Sequence, residues 1–316
     1  MPQYNRNELD LAARSYGFAR DTFEKVLRLK EILTWVGKQS ILQEHLVLKG
    51  GTAINLTIFN LPRLSVDIDL DFIPNCSREE MLDTREKISE KIKVYMNAEG
   101  YTLSPASRFH HSLDALNYSY TNSAGNPDMI KIEINYSLRA HVLETSFRAL
   151  TTDAFGDNLL IRTVDPVEIF AAKANALLTR AAARDLYDFS KCVEHNLYCN
   201  QREMFRKIIV FYASISQETI DPTFSTAEID RITIQKVRRD LFPVLNQKER
   251  NQFFDIGCKK SVVKDYLQSL MVLSESEKEY LYRFMSKEYC PELLFDDSNI
   301  LQRITNHPMA LWKCKP

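Results

Sequence analysis

The chain has 316 residues, 45% of them hydrophobic and 26% charged, with a formal net charge of −1. That length holds two ordinary domains, and the near-zero charge excludes a molecule that binds nucleic acid through its overall field, so any basic patch must be local. Six cysteines and six histidines are scattered without a CxxC pair or zinc spacing, no apolar run approaches a membrane span, and the polar start MPQYNRNELD carries no signal-peptide pattern, so a cytoplasmic protein with reduced thiols is expected.

Residues 1–20 are polar and weakly patterned. From Asp21, Phe23, Val26, Leu27, Ile32, Leu33 and Val36 recur at helical spacing and predict an amphipathic helix. The apolar run from Leu46 reads as a buried strand, broken by Lys49-Gly50-Gly51-Thr52. A helical segment follows, with Ala53, Leu56, Phe59 and Asn60 at helical spacing. Two adjacent glycines allow positive φ and close backbone approach, and N–H groups at a helix start can receive phosphate. Arg63-Leu64-Ser65 then leads into Val66-Asp67-Ile68-Asp69-Leu70-Asp71-Phe72, which alternates strictly. Alternate side chains of a strand share a face. Asp67, Asp69 and Asp71 therefore line one face, with Ser65 on the same side, and the apolar residues line the other. Like charges so close need a neutralising agent, and Mg²⁺, which takes carboxylates and substrate phosphates as ligands, is the simplest. A phosphate cradle beside a two-carboxylate metal site points to phosphoryl or nucleotidyl transfer.

Ser77 and Glu80 form a capping box that starts a helix to about Ala98, with Met81, Ile88, Ile92 and Tyr95 on its apolar face. Tyr101 to Phe109, Asp114 to Tyr120 and Met129 to Tyr136 are β-rich, and the loop Asn122–Asp128 joins the last two as a hairpin. In the last of these Lys131, Glu133 and Asn135 share a face, which makes Glu133 the candidate third carboxylate. Asn158 to Thr163 is a further strand or a lead-in. Asp165-Pro166 with Glu168 is a strong helix start, and that helix carries Ile169, Phe170, Lys173, Leu177 and Leu178. A second helical segment contains Arg184-Asp185-Leu186-Tyr187-Asp188-Phe189. From Gln201 the pattern is helical, with Val262, Tyr266, Leu270, Leu281 and Phe284 at core-like positions. The basic cluster Arg231, Lys236, Arg238 and Arg239 reads as a solvated helix face, with contact to RNA phosphates as the alternative. There are no internal repeats. The change of pattern sets a domain boundary near residue 165, giving 1–165 and 166–316.

Gly50-Gly51, a helix, then Asp67-Ile68-Asp69 resembles the signature of the DNA polymerase β-like nucleotidyltransferase superfamily. The fuller strings KGGTA and RLSVDIDLDF are similar to the AbiEii/AbiGii (MenT-like) toxin family. The gap between Gly51 and Asp67 is longer than the general superfamily pattern favours and fits the toxin branch better. The resemblance spans about residues 45–190. It implies an α/β (α+β) fold: a small mixed sheet with flanking helices, followed by a mainly helical C-terminal lobe.

The resemblance also implies a Mg²⁺-dependent nucleotidyltransferase that moves a nucleoside monophosphate from an NTP and releases pyrophosphate. Asp67, Asp69 and Glu133 would be the metal ligands. Lys173 and Asp188 match the branch's helix lysine and the aspartate of its RDLYD-like string, with Asp185 the nearby alternative. The candidate nucleotide-binding residues are Lys49, Gly50, Gly51, Thr52, Arg63, Ser65 and Lys173. By the same resemblance the protein is the toxin of a type IV toxin–antitoxin or phage-defence pair. Its acceptor would be RNA, the 3′ end of tRNA being the candidate, and its partner a cognate antitoxin. Two rivals stand beside this: a nucleotidyltransferase acting on a small molecule such as an antibiotic, and a non-enzymatic NTP-binding module. The intact set of carboxylates argues against the second.

Overall fold

Leu46, Val47 and Leu48 are all buried, as an apolar run between two strands should be. They form β1 (Leu46–Leu48) of one mixed sheet in a computed structural model that describes residues 4–151 and 159–315. The other strands are β2 (Asp67–Phe72), β3 (Thr102–Leu103), β4 (Arg108–His110), β5 (Leu113–Thr121), β6 (Pro127–Asn135), β7 (Ser146–Ala149) and β8 (Leu160–Thr163). Their order is β3-β5-β6-β2-β1-β8-β7, with β4 also on β5. β2 pairs parallel with β6 and β1 parallel with β8; every other pairing is antiparallel.

The chain forms two compact units. The first comprises residues 1–139, 145–163 and 243–250; the second comprises 140–144, 164–242 and 251–316. The division expected from sequence was continuous, whereas two short segments are exchanged here.

In the first unit the sheet carries α1 (Arg6–Ser15), α2 (Arg20–Val36), α3 (Ser40–His45), α4 (Gly50–Thr57) and α5 (Arg78–Ala98). α1 and α3 were not anticipated. α1 has an Asn5 N-cap, but only Leu9 and Ala13 of its residues are buried, too few for a clear period. α2 buries Phe23, Val26, Leu29, Ile32 and Leu33, together with a Glu24–Arg28 ion pair at 2.7 Å. Glu24 also accepts the N–H of Ser123 at 2.9 Å, which ties the β5–β6 hairpin loop to α2. A buried pair holds best when such extra bonds satisfy its oxygens. The Ser77/Glu80 capping box is present and α5 ends at Ala98 as expected. The β-rich stretch from Tyr101 is split into β3 and β4 rather than continuous. Leu160–Thr163 is a true strand; Asn158 lies outside the described residues.

The second unit is helical throughout its named elements. α6 (Pro166–Thr179) starts as expected, Asp165 accepting the Val167 N–H at 2.9 Å. Glu168 does not serve its own helix end. It is buried and accepts the N–H groups of Val142 and Leu143 at 3.0 and 2.9 Å, which fastens the short 140–144 segment to this unit. α7 (Ala183–Glu194) follows, then α8 (Arg202–Ser216), buried on nearly all sides from Phe205 to Ile215. A helix apolar all round is a central one, and α6 and two later helices, described below, pack on it. Of the core-like positions, Leu270, Leu281 and Phe284 are buried but Val262 is 44% exposed, its neighbour Val263 filling the core instead.

Candidate active site

The pairing of β2 with β6 builds the site in the first unit. Their parallel register sets Asp67 beside Lys131, Asp69 beside Glu133 and Asp71 beside Asn135. Neighbours in register share a face, so Glu133, expected as the third carboxylate, lies next to Asp69. Ile68, Leu70 and Phe72 on the other face are buried, which fixes the register: a slip of one residue would turn the acids into the core.

The three aspartates differ in environment. Asp71 is 1% exposed and paired with the Lys49 ammonium. Asp67 and Asp69 are half-buried. Asn135 ends its strand, accepting the N–H groups of Ser137 and Leu138 at 2.8 and 3.1 Å.

The glycines account for the approach of the loop to these acids. The Lys49 N–H donates to the Asp69 carbonyl at 2.9 Å, carrying the β1–β2 ladder one step past Leu48. Gly50 then takes φ +68°, and a Cβ there would lie 2.5 Å from Asp69 Oδ2. A side chain is excluded twice, by backbone conformation and by the carboxylate. A Cβ on Gly51 would lie 2.5 Å from the Arg63 guanidinium and 3.0 Å from Ser65 Oγ. The two glycines therefore let α4 begin against Asp69, Arg63 and Ser65 together.

Three residues expected to touch nucleotide are taken up by the scaffold. The Thr52 hydroxyl, 1% exposed, donates to the Asp67 carbonyl. Arg63 is 2% exposed and donates to the Leu64 carbonyl at 3.0 Å. Lys49 is the partner of Asp71. These contacts help hold Asp67 and the loop before β2 in place.

Lys131 was seen on this face in the sequence but given no role. Its ammonium lies 2.8 Å from Glu133 Oε1. Burial alone would lower its pKa, but the bond to Glu133 and the charges of Glu133, Asp67 and Asp69 outweigh that and raise it. It stays a cation among three acids, the neutraliser that their crowding demands. Among the described residues no three His, Cys, Asp or Glu side chains are gathered as a ready metal cluster. The donor chemistry nonetheless fits Mg²⁺: Asp67 and Asp69 offer hard carboxylate oxygens on one half-exposed face, beside a glycine loop suited to phosphate.

In the second unit Lys173, Asp185 and Asp188 come together. Lys173 Nζ lies 2.8 Å from Asp185 Oδ1 and 3.1 Å from Asp188 Oδ2, both carboxylates being 1% exposed. Arg180 adds a bond to Asp185 at 2.8 Å. Burial would raise the Asp185 pKa; the charges and hydrogen bonds of Lys173 and Arg180 win and lower it. Both candidate aspartates of the RDLYD string thus serve the same lysine.

The family model described as nucleotidyl transferase AbiEii toxin, type IV TA system, matches residues 35–256. This chain belongs to the AbiEii family. It is accordingly a nucleotidyltransferase toxin of a type IV toxin–antitoxin family, which implies an NTP substrate and an antitoxin partner. Among solved structures it is similar to MenT4, nucleotidyltransferase toxin Rv2826c from Mycobacterium tuberculosis H37Rv, with a TM-score of 0.65 at 17% identity, over 98% of this chain and 99% of that one. At that identity the likeness bears on the fold. No curated protein matches. Among the described residues of this AbiEii chain, no helix is long and apolar enough to cross a membrane.

Proposed function

We propose that this AbiEii protein transfers a nucleoside monophosphate from an NTP to a hydroxyl of an RNA, the tRNA 3′ end being the favoured site. The observation that carries the reading is the register that sets Asp69 beside Glu133, with the Asp69 carboxylate against Gly50. The acceptor oxygen attacks the α-phosphorus, the bond from that phosphorus to the pyrophosphate oxygen breaks, and pyrophosphate leaves with the bonding pair. Glu133 orients the acceptor hydroxyl and takes its proton, released to do so from Lys131. The N–H groups at the start of α4 and the Ser65 hydroxyl receive phosphate oxygens. Mg²⁺, held by Asp67 and Asp69, would supply charge neutralisation at the phosphates. Lys131 balances the acids before substrate arrives. By resemblance Lys173 and Asp188 belong to the active site; as a cation Lys173 would meet the triphosphate, and Asp188 and Asp185 hold its ammonium. Catalysis of this kind is positioning plus electrostatics. The reaction draws on a cellular NTP pool, so we assign the protein to the cytoplasm, as a toxin restrained by its antitoxin and usable in phage defence.

The test is incubation with each α-labelled NTP in turn, Mg²⁺ and total RNA. Label is expected in RNA with at least one NTP. Label found only on a small-molecule acceptor, or transferred nowhere, would overturn the RNA assignment.

A further inference from the structure

The second unit contains an open groove of about 610 Å³ with no part in the site above. It lies by the C-terminal end of α8 and is lined by Phe284, Met285, Lys287, Trp312, Lys313 and Lys315. Trp312 is 64% exposed. The chain's other tryptophan, Trp35, is spent inside the first unit, stacked on Tyr95 at 3.9 Å. The exposed indole offers a flat aromatic face with a polar edge, and here it stands beside three lysines with Glu218 the single acid of the lining.

Two of the lysines are placed by neutral partners. Lys313 Nζ donates to the carbonyls of Gln217 and, at 3.3 Å, Ser214, which ends α8 with a cation; Lys287 Nζ donates to the Lys313 carbonyl at 2.8 Å. Carbonyls fix the ammonium groups without cancelling their charge. Burial, then the charge of Lys287, lowers the Lys313 pKa, so an anion entering the groove relieves a repulsion already present. A flat aromatic face with cations at its edge is the chemistry that takes a base and its phosphates. An acidic peptide would use the cations and leave the ring idle.

We propose that this groove binds single-stranded RNA, one base stacking on Trp312 and adjoining phosphates meeting Lys287 and Lys315. The proposal rests on the RNA-acceptor reading above and adds where a strand is gripped.

With Trp35→Phe leaving Trp312 as the sole indole, an oligouridylate of about 12 nucleotides, within the site size of such grooves, should quench the fluorescence saturably. The midpoint should move to higher RNA concentration as salt is added. By anisotropy of the labelled oligomer in the full-length protein, Trp312→Ala and the double variant Lys287→Gln/Lys315→Gln should each weaken binding about tenfold or more. Unchanged thermal melts would show that these variants are folded; Lys313 is left alone because it ends α8. Binding unchanged in both variants would overturn the proposal. Quenching by ATP at concentrations as low as by the oligomer would overturn it in favour of a free nucleotide. The two readings fail separately. Oligomer binding lost in the variants while no NTP labels RNA would defeat the acceptor assignment and keep the groove. RNA labelled normally by variants with unchanged affinity would defeat the groove and keep the acceptor.

Discussion

At the scale of single residues, the first carboxylate to explain is Asp69, and Gly50 explains its position. The glycine adopts φ +68° and leaves room for Asp69 Oδ2 where a Cβ would stand 2.5 Å away. Gly50→Ala should therefore lose about 1–2 kcal/mol of stability from the left-handed backbone alone. It should also push Asp69 off its place, and misplacement by about an ångström can cost roughly 100-fold in rate. A melting curve and a transfer rate, measured together, check both halves; a fully active, fully stable variant would remove Gly50 from the account. The GG and DxD motifs stand out in the sequence as a glycine pair after a strand and an alternating acidic strand, and the resemblance to the family joins them into one site. The tasks of Thr52, Lys49 and Arg63 were not legible there. Each is a polar residue near phosphate-type glycines, and only folding shows its bond to the Asp67 carbonyl, to Asp71 or to the Leu64 carbonyl. Lys131 was missed for a related reason: a lysine alternating with acids on a strand reads as solvated surface until the parallel register brings Asp67 alongside.

At the scale of elements, the Lys173 cluster joins α6 to α7 as well as presenting a cation. Lys173→Met would leave Asp188 and Asp185 buried, with Arg180 still on Asp185. Removing one partner of a buried pair costs about 3 kcal/mol or more, so the variant should melt earlier as well as transfer more slowly. Lys173→Arg should regain most of the stability but only part of the NTP affinity, because a planar fork does not replace a point charge. Equal transfer rates in wild type and both variants would reduce Lys173 to a structural residue. The same cluster has a pH signature. Asp185 has its folded pKa lowered, so its contribution to stability is complete above its unfolded value of about 3.9 and is lost as pH falls through the lower folded value. Between about pH 5 and pH 3, the wild type should therefore lose stability more steeply than Asp185→Asn, as read by denaturant midpoints at each pH; parallel slopes would contradict the assigned charge pairing. Elements with caps or a strict period were legible: α5 from Ser77 and Glu80, α6 from Asp165 and Pro166, β2 and β6 from alternation. Where the period was short it misled. Val262 and Val263 differ by one step of helix phase, and the wrong one was assigned to the core.

At the scale of the whole molecule, the chain is not two successive blocks. Pro243–Arg250 returns to the first unit, where Leu245 bridges to Arg63 and the Leu64 N–H donates to the Val244 carbonyl at 2.7 Å. That segment therefore supports the loop that carries Ser65 into β2. A chain ending at Thr163 would lack it, and should be less stable and show no transfer even with Asp67, Asp69 and Glu133 intact; proteolysis resistance and activity equal to the full chain would contradict this. No sequence pattern reveals such a return, since one backbone bridge has no composition signal. Overall charge was informative in a different way. In the cluster at Arg231 to Arg239 two of the four cations are answered locally, Arg231 by Glu228 at 2.9 Å and Arg239 by Asp240 at 2.6 Å. The groove at Trp312 draws its lysines from two segments distant in sequence, which a linear scan of charge does not join. The helices that meet there and on α8 are Glu275–Met285 and Pro308–Lys313. The central claim remains that the face shared by Asp69 and Glu133 is where the nucleotide is transferred. Its most direct test is the single-turnover rate of label transfer from α-labelled NTP by Asp69→Asn at saturating Mg²⁺. The account predicts a fall of at least about 100-fold with an unchanged or slightly raised melting temperature, one of the crowded charges being gone. A variant that transfers at the wild-type rate would contradict it.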